Sequence, residues 1–173
     1  MEEEHTIVLL AKNKGENMEY KTNVMRILDS KKITYKTYDY SKTDAISGIE
    51  VANILNQNEK EVFKTLVTIG KSKQHYIFMI PVAEELDLKK AAQATNEKSI
   101  EMIPSKELLP LTGYIHGGCS PIGLKKNFPI LIDDSIKNLD HIIFSAGKIG
   151  YQVDLKIDDL NKVIQYKTEQ IIK

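Results

Sequence analysis

Two apolar, β-rich runs, Phe63–Ile69 and His75–Val82, stand on either side of Gly70, Lys71, Ser72, Lys73 and Gln74. Runs rich in Val, Ile, Phe and Thr favour extended backbone, and a short polar link containing glycine closes such a pair as a hairpin. Around this hairpin the sequence alternates between helical and strand periodicity. Val24, Ile27 and Leu28 recur at helical spacing behind Thr22 and Asn23, either of which can cap, and Lys31 and Lys32 sit on the negative end of that helix. Ile33–Tyr40 alternates as a strand. Ser47 with Glu50 forms a capping-box pattern ahead of Val51, Ala52, Ile54 and Leu55, and Asn58 with Glu61 repeats the device before Phe63. Further helices are predicted over Asp87–Thr95, with Leu88, Ala91 and Ala92 inward, from Pro104-Ser105 through Leu109, and over Asp158–Ile164. Strands are predicted around Tyr114–His116, Pro129–Asp133, Ile142–Ser145 and Gln152–Lys156, with a tight loop at Ala146–Gly150. Helices interspersed with strands, one pair of them a hairpin, predict a mixed sheet curled on itself and not a pure βαβ wind.

Length and charge narrow the class of function. The 173 residues fit one domain plus a short appendage. Residues 1–18 mix charges with one apolar patch, Thr6–Ala11, and Met18 is a second candidate start. They are read as an N-terminal extension or an expression remnant, leaving residues 19–173 as the folded domain. The 24 basic and 24 acidic side chains cancel, which argues against a general nucleic-acid coat protein while leaving room for a local basic groove such as Lys89-Lys90 or Lys125-Lys126. A single cysteine excludes an internal disulfide framework and a multi-cysteine metal site. No apolar run approaches the ~20 residues of a membrane span. The expectation is a cytoplasmic protein with no cofactor and no metal.

Six of the nine glycines fall between Gly113 and Gly150. They gather in two segments, Gly113 to Gly123 and Ser145 to Gly150, neither of which is a Walker A loop or a dinucleotide fingerprint. They are either two sharp turns in a curled sheet or a pocket wall of bare amides suited to a developing oxyanion, a phosphate or a ribose. Lys64 lies inside the apolar run Phe63-Lys64-Thr65-Leu66-Val67. Its ammonium either reaches water at the rim or, in a pocket, holds a carbonyl, phosphate or terminal hydroxyl. His116 is a candidate base without a legible triad. Cys119 beside Ser120 is read as a small packing residue, because nothing near it activates a thiol. Asp133-Asp134 is read as a turn or helix cap in preference to a metal site.

Taken in order, Phe63-Lys64-Thr65-Leu66, Pro81-Val82-Ala83 running into Leu86-Asp87-Leu88-Lys89-Lys90, Thr112-Gly113-Tyr114 with Gly117-Gly118 and Ser120-Pro121-Ile122-Gly123, and Ser145-Ala146-Gly147-Lys148-Ile149-Gly150 resemble the bacterial Cys-tRNA(Pro)/Cys-tRNA(Cys) deacylases, the YbaK-type branch of the prolyl-tRNA editing superfamily. The resemblance covers about residues 21–165. It implies an α/β (α+β) fold with a curled, mixed, barrel-like sheet and surrounding helices, and a pocket for the aminoacyl-adenosine end of a tRNA. Lys64 matches the family's essential lysine, with Phe63 and Thr65 beside it, and Tyr40 matches a pocket tyrosine. His116, Gly117, Gly118, Ser145, Ala146, Gly147 and Gly150 fall on the two loops that line the pocket. Many members carry an aspartate where this chain has Gln152, and the nearest acid on that strand face is Asp154.

The activity implied is trans-editing, the removal of cysteine wrongly esterified to tRNA(Pro), and also from tRNA(Cys). The substrate's own thiol attacks the ester while Lys64 and the glycine-loop amides hold it. The partners implied are the acceptor end of aminoacyl-tRNA and a prolyl-tRNA synthetase as carrier. Two alternatives stand beside this: a deacylase for Ala- or another small aminoacyl-tRNA using water, and a nonenzymatic RNA- or nucleotide-binding module.

Overall fold

A computed structural model describes residues 20–173, so the appendage assigned to residues 1–18, with its apolar patch and second start, lies outside the described residues. The first helix, α1 (Asn23–Ser30), is capped by Thr22, whose Oγ1 accepts from the Met25 amide at 3.2 Å, and buries Val24, Met25 and Leu28. The strand read over Ile33–Tyr40 pairs only as β1 (Lys36–Asp39). Its first residues are still closing the helix, since the Ile33 amide donates back to Leu28 O at 3.0 Å. Helix α2 (Gly48–Ile54) opens on the complete Ser47/Glu50 capping box. The second such pattern opens no helix. Asn58 Oδ1 accepts from the Lys60 amide at 3.1 Å, and this side-chain turn feeds the chain into the hairpin.

The hairpin consists of β2 (Phe63–Gly70) and β3 (His75–Pro81), antiparallel from Phe63 opposite Pro81 to Ile69 opposite His75. There follow α3 (Leu88–Thr95), β4 (Ile100–Met102), α4 (Ser105–Thr112), β5 (Ile130–Asp133), a 3₁₀ turn over Asp134–Asn138, β6 (His141–Ser145), β7 (Tyr151–Lys156), α5 (Ile157–Leu160) and β8 (Lys167–Glu169). Asp87 caps α3, but Leu88 is exposed and the inward face is Ala91 and Ala92. Tyr114–His116 is loop, and the final helix ends four residues before Ile164. β4 and β8, three residues each, are too short to announce themselves by alternation.

The strands form two sheets. One runs β1-β7-β6, all antiparallel. The other runs β4-β2-β3-β5-β8, with the hairpin and β4 antiparallel and β5 and β8 added in parallel. A parallel bridge from Val62 to Ile143 joins β6 to the residue just ahead of β2, so the sheets curl onto each other without closing a barrel. β3 shows why the hairpin sequence is continuously apolar. Ile77 and Met79 enter the main core with α1, β6 and β7, while Phe78 and Ile80 enter a second core against Ala91, Ala92 and Leu131. Both faces of that central strand are covered, which removes the polar alternation of a half-exposed strand.

Candidate active site

A cavity of about 560 Å³ opens where the start of β2, the end of β6 and the segment after α4 come together. That volume falls within the range of small-molecule and cofactor sites. Of the residues singled out from sequence, Tyr40, Phe63, Lys64, Thr65, His116, Gly117 and Ser145 line it, and Cys119 does as well. Gly118, Ala146, Gly147 and Gly150, expected on the pocket wall, do not line it. A Cβ on Gly118 would sit 3.2 Å from the Ile149 amide nitrogen, so the two glycine turns touch backbone to backbone. Gly147 (φ +89°) has the ring of Tyr114 and Val24 of α1 against its Cα. The hydroxyl of buried Tyr114 donates to Ile122 O and ties the first turn into a closed loop.

The amides expected to face the ligand are largely engaged within the turns. Gly118 N donates to Ile115 O at 3.0 Å, Ala146 N to Tyr151 O at 3.0 Å, and Gly147 N to Ser145 Oγ at 3.1 Å. These three therefore stabilise the turns, and the polar groups offered to the cavity come chiefly from side chains. Lys64 alternates outward from buried Phe63, and its ammonium lies 3.4 Å from Val82 O, beside the entry to α2. Gly48 permits that entry, because a Cβ there would overlap Val82 at 2.5 Å. The Glu85 carboxyl is held below its usual range by Lys173 first and by the charge of Lys64 to a smaller degree. Thr65 Oγ1 is buried without a partner among the described residues, an orphan hydroxyl on the cavity wall. Burial pushes the Cys119 thiol up to about 12, so it lines the cavity as a neutral group.

The sequence named Gln152 and Asp154 but not their partners. Gln152, opposite Ser145 in the β6–β7 ladder, also lines the cavity and accepts from Gln57 Nε2 at 2.8 Å. Gln57 carries no motif; only its place after α2 brings it there. Asp154, two residues on and on the same strand face, does not line the cavity. Its carboxylate takes the Tyr38 hydroxyl at 3.2 Å and His141 Nδ1 at 2.6 Å, while His141 Nε2 meets Glu61 at 2.7 Å. Burial works against a charged His141 ring, but the hydrogen bond and charge of Asp154 and the charge of Glu61 outweigh it and raise its pKa. Together these residues pin β1, β6 and β7 to the approach of β2, and so to Lys64.

Among the described residues, the arrangement is a preformed cavity with one strand cation, several hydroxyls and no assembled nucleophile–base pair. It suits a substrate that is already activated and needs holding and polarising. Comparison with known proteins agrees. A profile described as the aminoacyl-tRNA editing domain matches residues 44–163. A relative from Enterococcus faecalis, provisionally named the Cys-tRNA(Pro)/Cys-tRNA(Cys) deacylase EbsC, is 44% identical over 136 residues, 78% of this chain and 83% of its own. A proline–tRNA ligase of Brachyspira hyodysenteriae is 28% identical over 148 residues, which is 84% of this chain but 25% of the ligase. Among solved structures, one described as a candidate trans-editing enzyme for prolyl-tRNA synthetase superposes with a TM-score of 0.72 at 19% identity, covering 80% of this chain and 87% of that one.

Proposed function

The chain belongs to the aminoacyl-tRNA editing domain family, and from that premise we propose that it is a trans-editing deacylase that clears cysteine wrongly esterified to tRNA(Pro). One observation carries the reading: the ammonium of a strand lysine and the ends of both glycine turns border a single cavity. An aminoacyl ester is already an activated acyl group, so cleavage requires orientation and carbonyl polarisation more than a protein nucleophile. Lys64 holds the carbonyl or the terminal ribose. The cysteine sulfur attacks its own carbonyl carbon, the carbon–oxygen bond to the ribose breaks, and the thiol proton passes to the departing hydroxyl. Water then opens the sulfur-bound acyl intermediate to free cysteine. Proline has no thiol, so correctly charged tRNA(Pro) survives the same cavity. Such editing is needed because a synthetase separates small side chains by only ~1–3 kcal/mol.

The body of the tRNA is delivered by a prolyl-tRNA synthetase. Two observations support that arrangement: the zero net charge of this chain, which gives no general phosphate grip, and the occurrence of a similar segment within a proline–tRNA ligase. The test is a deacylation panel of Cys-, Ala- and Pro-tRNA(Pro) with Cys-tRNA(Cys), run with and without the synthetase. Wild type clears Cys-tRNA(Pro), spares Pro-tRNA(Pro) and works faster with the synthetase present. Lys64→Ala loses about a hundredfold or more in rate, the loss seen when a transition-state donor is removed, while its thermal unfolding is unchanged. A variant that clears Cys-tRNA(Pro) at the wild-type rate refutes the site. Clearance of Ala-tRNA(Pro) alone replaces the thiol mechanism with a water mechanism, and an inert panel refutes the enzyme.

A further inference from the structure

Among the described residues, the cavity wall carries one ammonium, Lys64, and one imidazole, His116, but no carboxylate. Among the described residues, the acids next to wall residues along the chain, Glu50, Glu61, Glu101 and Glu107, do not line the cavity, and several other nearby acids are paired away from it. Glu85 pairs with Lys173 at 3.0 Å, Asp154 with Tyr38 and His141, and Asp39 with Ser41. Gln152 is the wall residue opposite Ser145; its oxygen accepts from Gln57 and its side chain is a neutral amide. The thiol of Cys119, which also lines the cavity, is held neutral by burial and is no counter-ion for an ammonium.

An aminoacyl ester ordinarily carries an α-ammonium. In this cavity that charge would exchange bulk water for a wall bearing a like charge and no partner of opposite sign, and both changes favour its neutral form. We propose that the site takes its ester with the α-amino group uncharged, so that N-acylated cysteinyl esters are substrates alongside the free-amine ester. This rests on the deacylase reading above and adds the charge state and N-substitution of the substrate. The net reaction is unchanged: the bond from the carbonyl carbon to the ribose oxygen breaks, that oxygen leaves as the terminal hydroxyl, and water supplies the oxygen of the released acid.

Single-turnover deacylation of Cys-tRNA(Pro) and N-acetyl-Cys-tRNA(Pro) between pH 6 and 9 tests it. At pH 7 the acetylated ester is cleared within about threefold of the free-amine ester. The free-amine rate relative to the acetylated rate climbs as pH rises through the range of an α-amino group, near 8. Because the α-ammonium lowers the pKa of the neighbouring thiol and the acetylated ester lacks it, the thiol of each ester is titrated separately and each rate is corrected for its own thiolate fraction before the ratio is taken. Gln152→Glu places a carboxylate on the wall and shifts preference toward the free-amine ester by about tenfold, one unit of pKa stabilisation. Clearance of the free-amine ester alone, or a rate ratio that is flat or falling with pH in wild type, overturns the inference and leaves the deacylase standing. If neither ester is cleared, the deacylase reading falls with it.

Discussion

His141 joins two carboxylates with its two ring nitrogens, Asp154 at 2.6 Å and Glu61 at 2.7 Å, and only the doubly protonated imidazolium can donate to both. The clamp is therefore a charged one, and its contribution to stability depends on pH in a fixed direction. An unfolded histidine titrates near 6.5, and the folded ring titrates higher. A raised folded pKa gives stabilisation that is fully present below the unfolded value and is lost as pH rises through the folded value. A hydrogen bond to a charged group contributes about 1.5–3 kcal/mol in a protected setting. The His141 side chain is 37% exposed, so screening brings the pair to about 1 kcal/mol in total. For a chain of this size that corresponds to ~2–4 °C in Tm. Calorimetric or fluorescence melting of wild type and His141→Gln, in steps from pH 6 to 9, reads the difference directly. The gap between the two proteins should be widest at pH 6 and shrink toward pH 9. A gap that is constant, or that widens with pH, would mean that the folded ring is neutral and that the clamp is misassigned.

Two further outcomes follow from the turns and the thiol. Gly147→Ala sets a Cβ at φ +89°, 2.9 Å from the Tyr114 ring and 3.0 Å from Val24. Left-handed strain and overlap together cost about 2–4 kcal/mol, a Tm loss on the order of 5–10 °C, whereas an unchanged melting temperature would show that the turn relaxes freely. Cys119 is buried with its thiol pushed up to about 12, so alkylation by iodoacetamide at pH 8 should run at least about a hundredfold slower in the native protein than in denaturant. Fast native labelling would place an accessible thiolate in the cavity.

The elements legible in the sequence are those whose signal is local. The hairpin and the Ser47/Glu50 box each rest on residues within a few positions of one another, and each is found where it was read; the helix read over Asp87–Thr95 is also present, with Asp87 as its cap. The misreadings share one cause, in that a contact distant in sequence decides the outcome. Tyr114–His116 has strand composition, but the Tyr114 hydroxyl is drawn to Ile122 O and the chain folds into a loop. Leu88 fits an apolar helical face, yet α3 packs on the second core through alanines and leaves Leu88 outside. The Asn58/Glu61 pattern is chemically a good cap, but the strand that follows is already claimed by β3.

The site divides in the same way. Lys64 and the glycine turns carry sequence signals because a cation in a strand and clustered glycines are locally unusual. The roles of the glycines are not local. Gly117 borders the cavity, while Gly118 lets the two turns touch and Gly147 lets α1 and Tyr114 approach. Composition identifies a place where backbone must pass close to something, and only the fold tells whether that something is a ligand or the next turn. Since the amides of Gly118, Ala146 and Gly147 are spent inside the turns, the deacylase proposed above assigns polarisation of a bound carbonyl to Lys64 and to hydroxyls such as Thr65 Oγ1, which has no partner among the described residues. A side-chain donor that must be positioned is more sensitive to its support than a backbone amide is. The Val62–Ile143 bridge and the Glu61–His141–Asp154 clamp, which fix the start of β2, are therefore part of how the site works although none of those residues reaches the cavity except Val62.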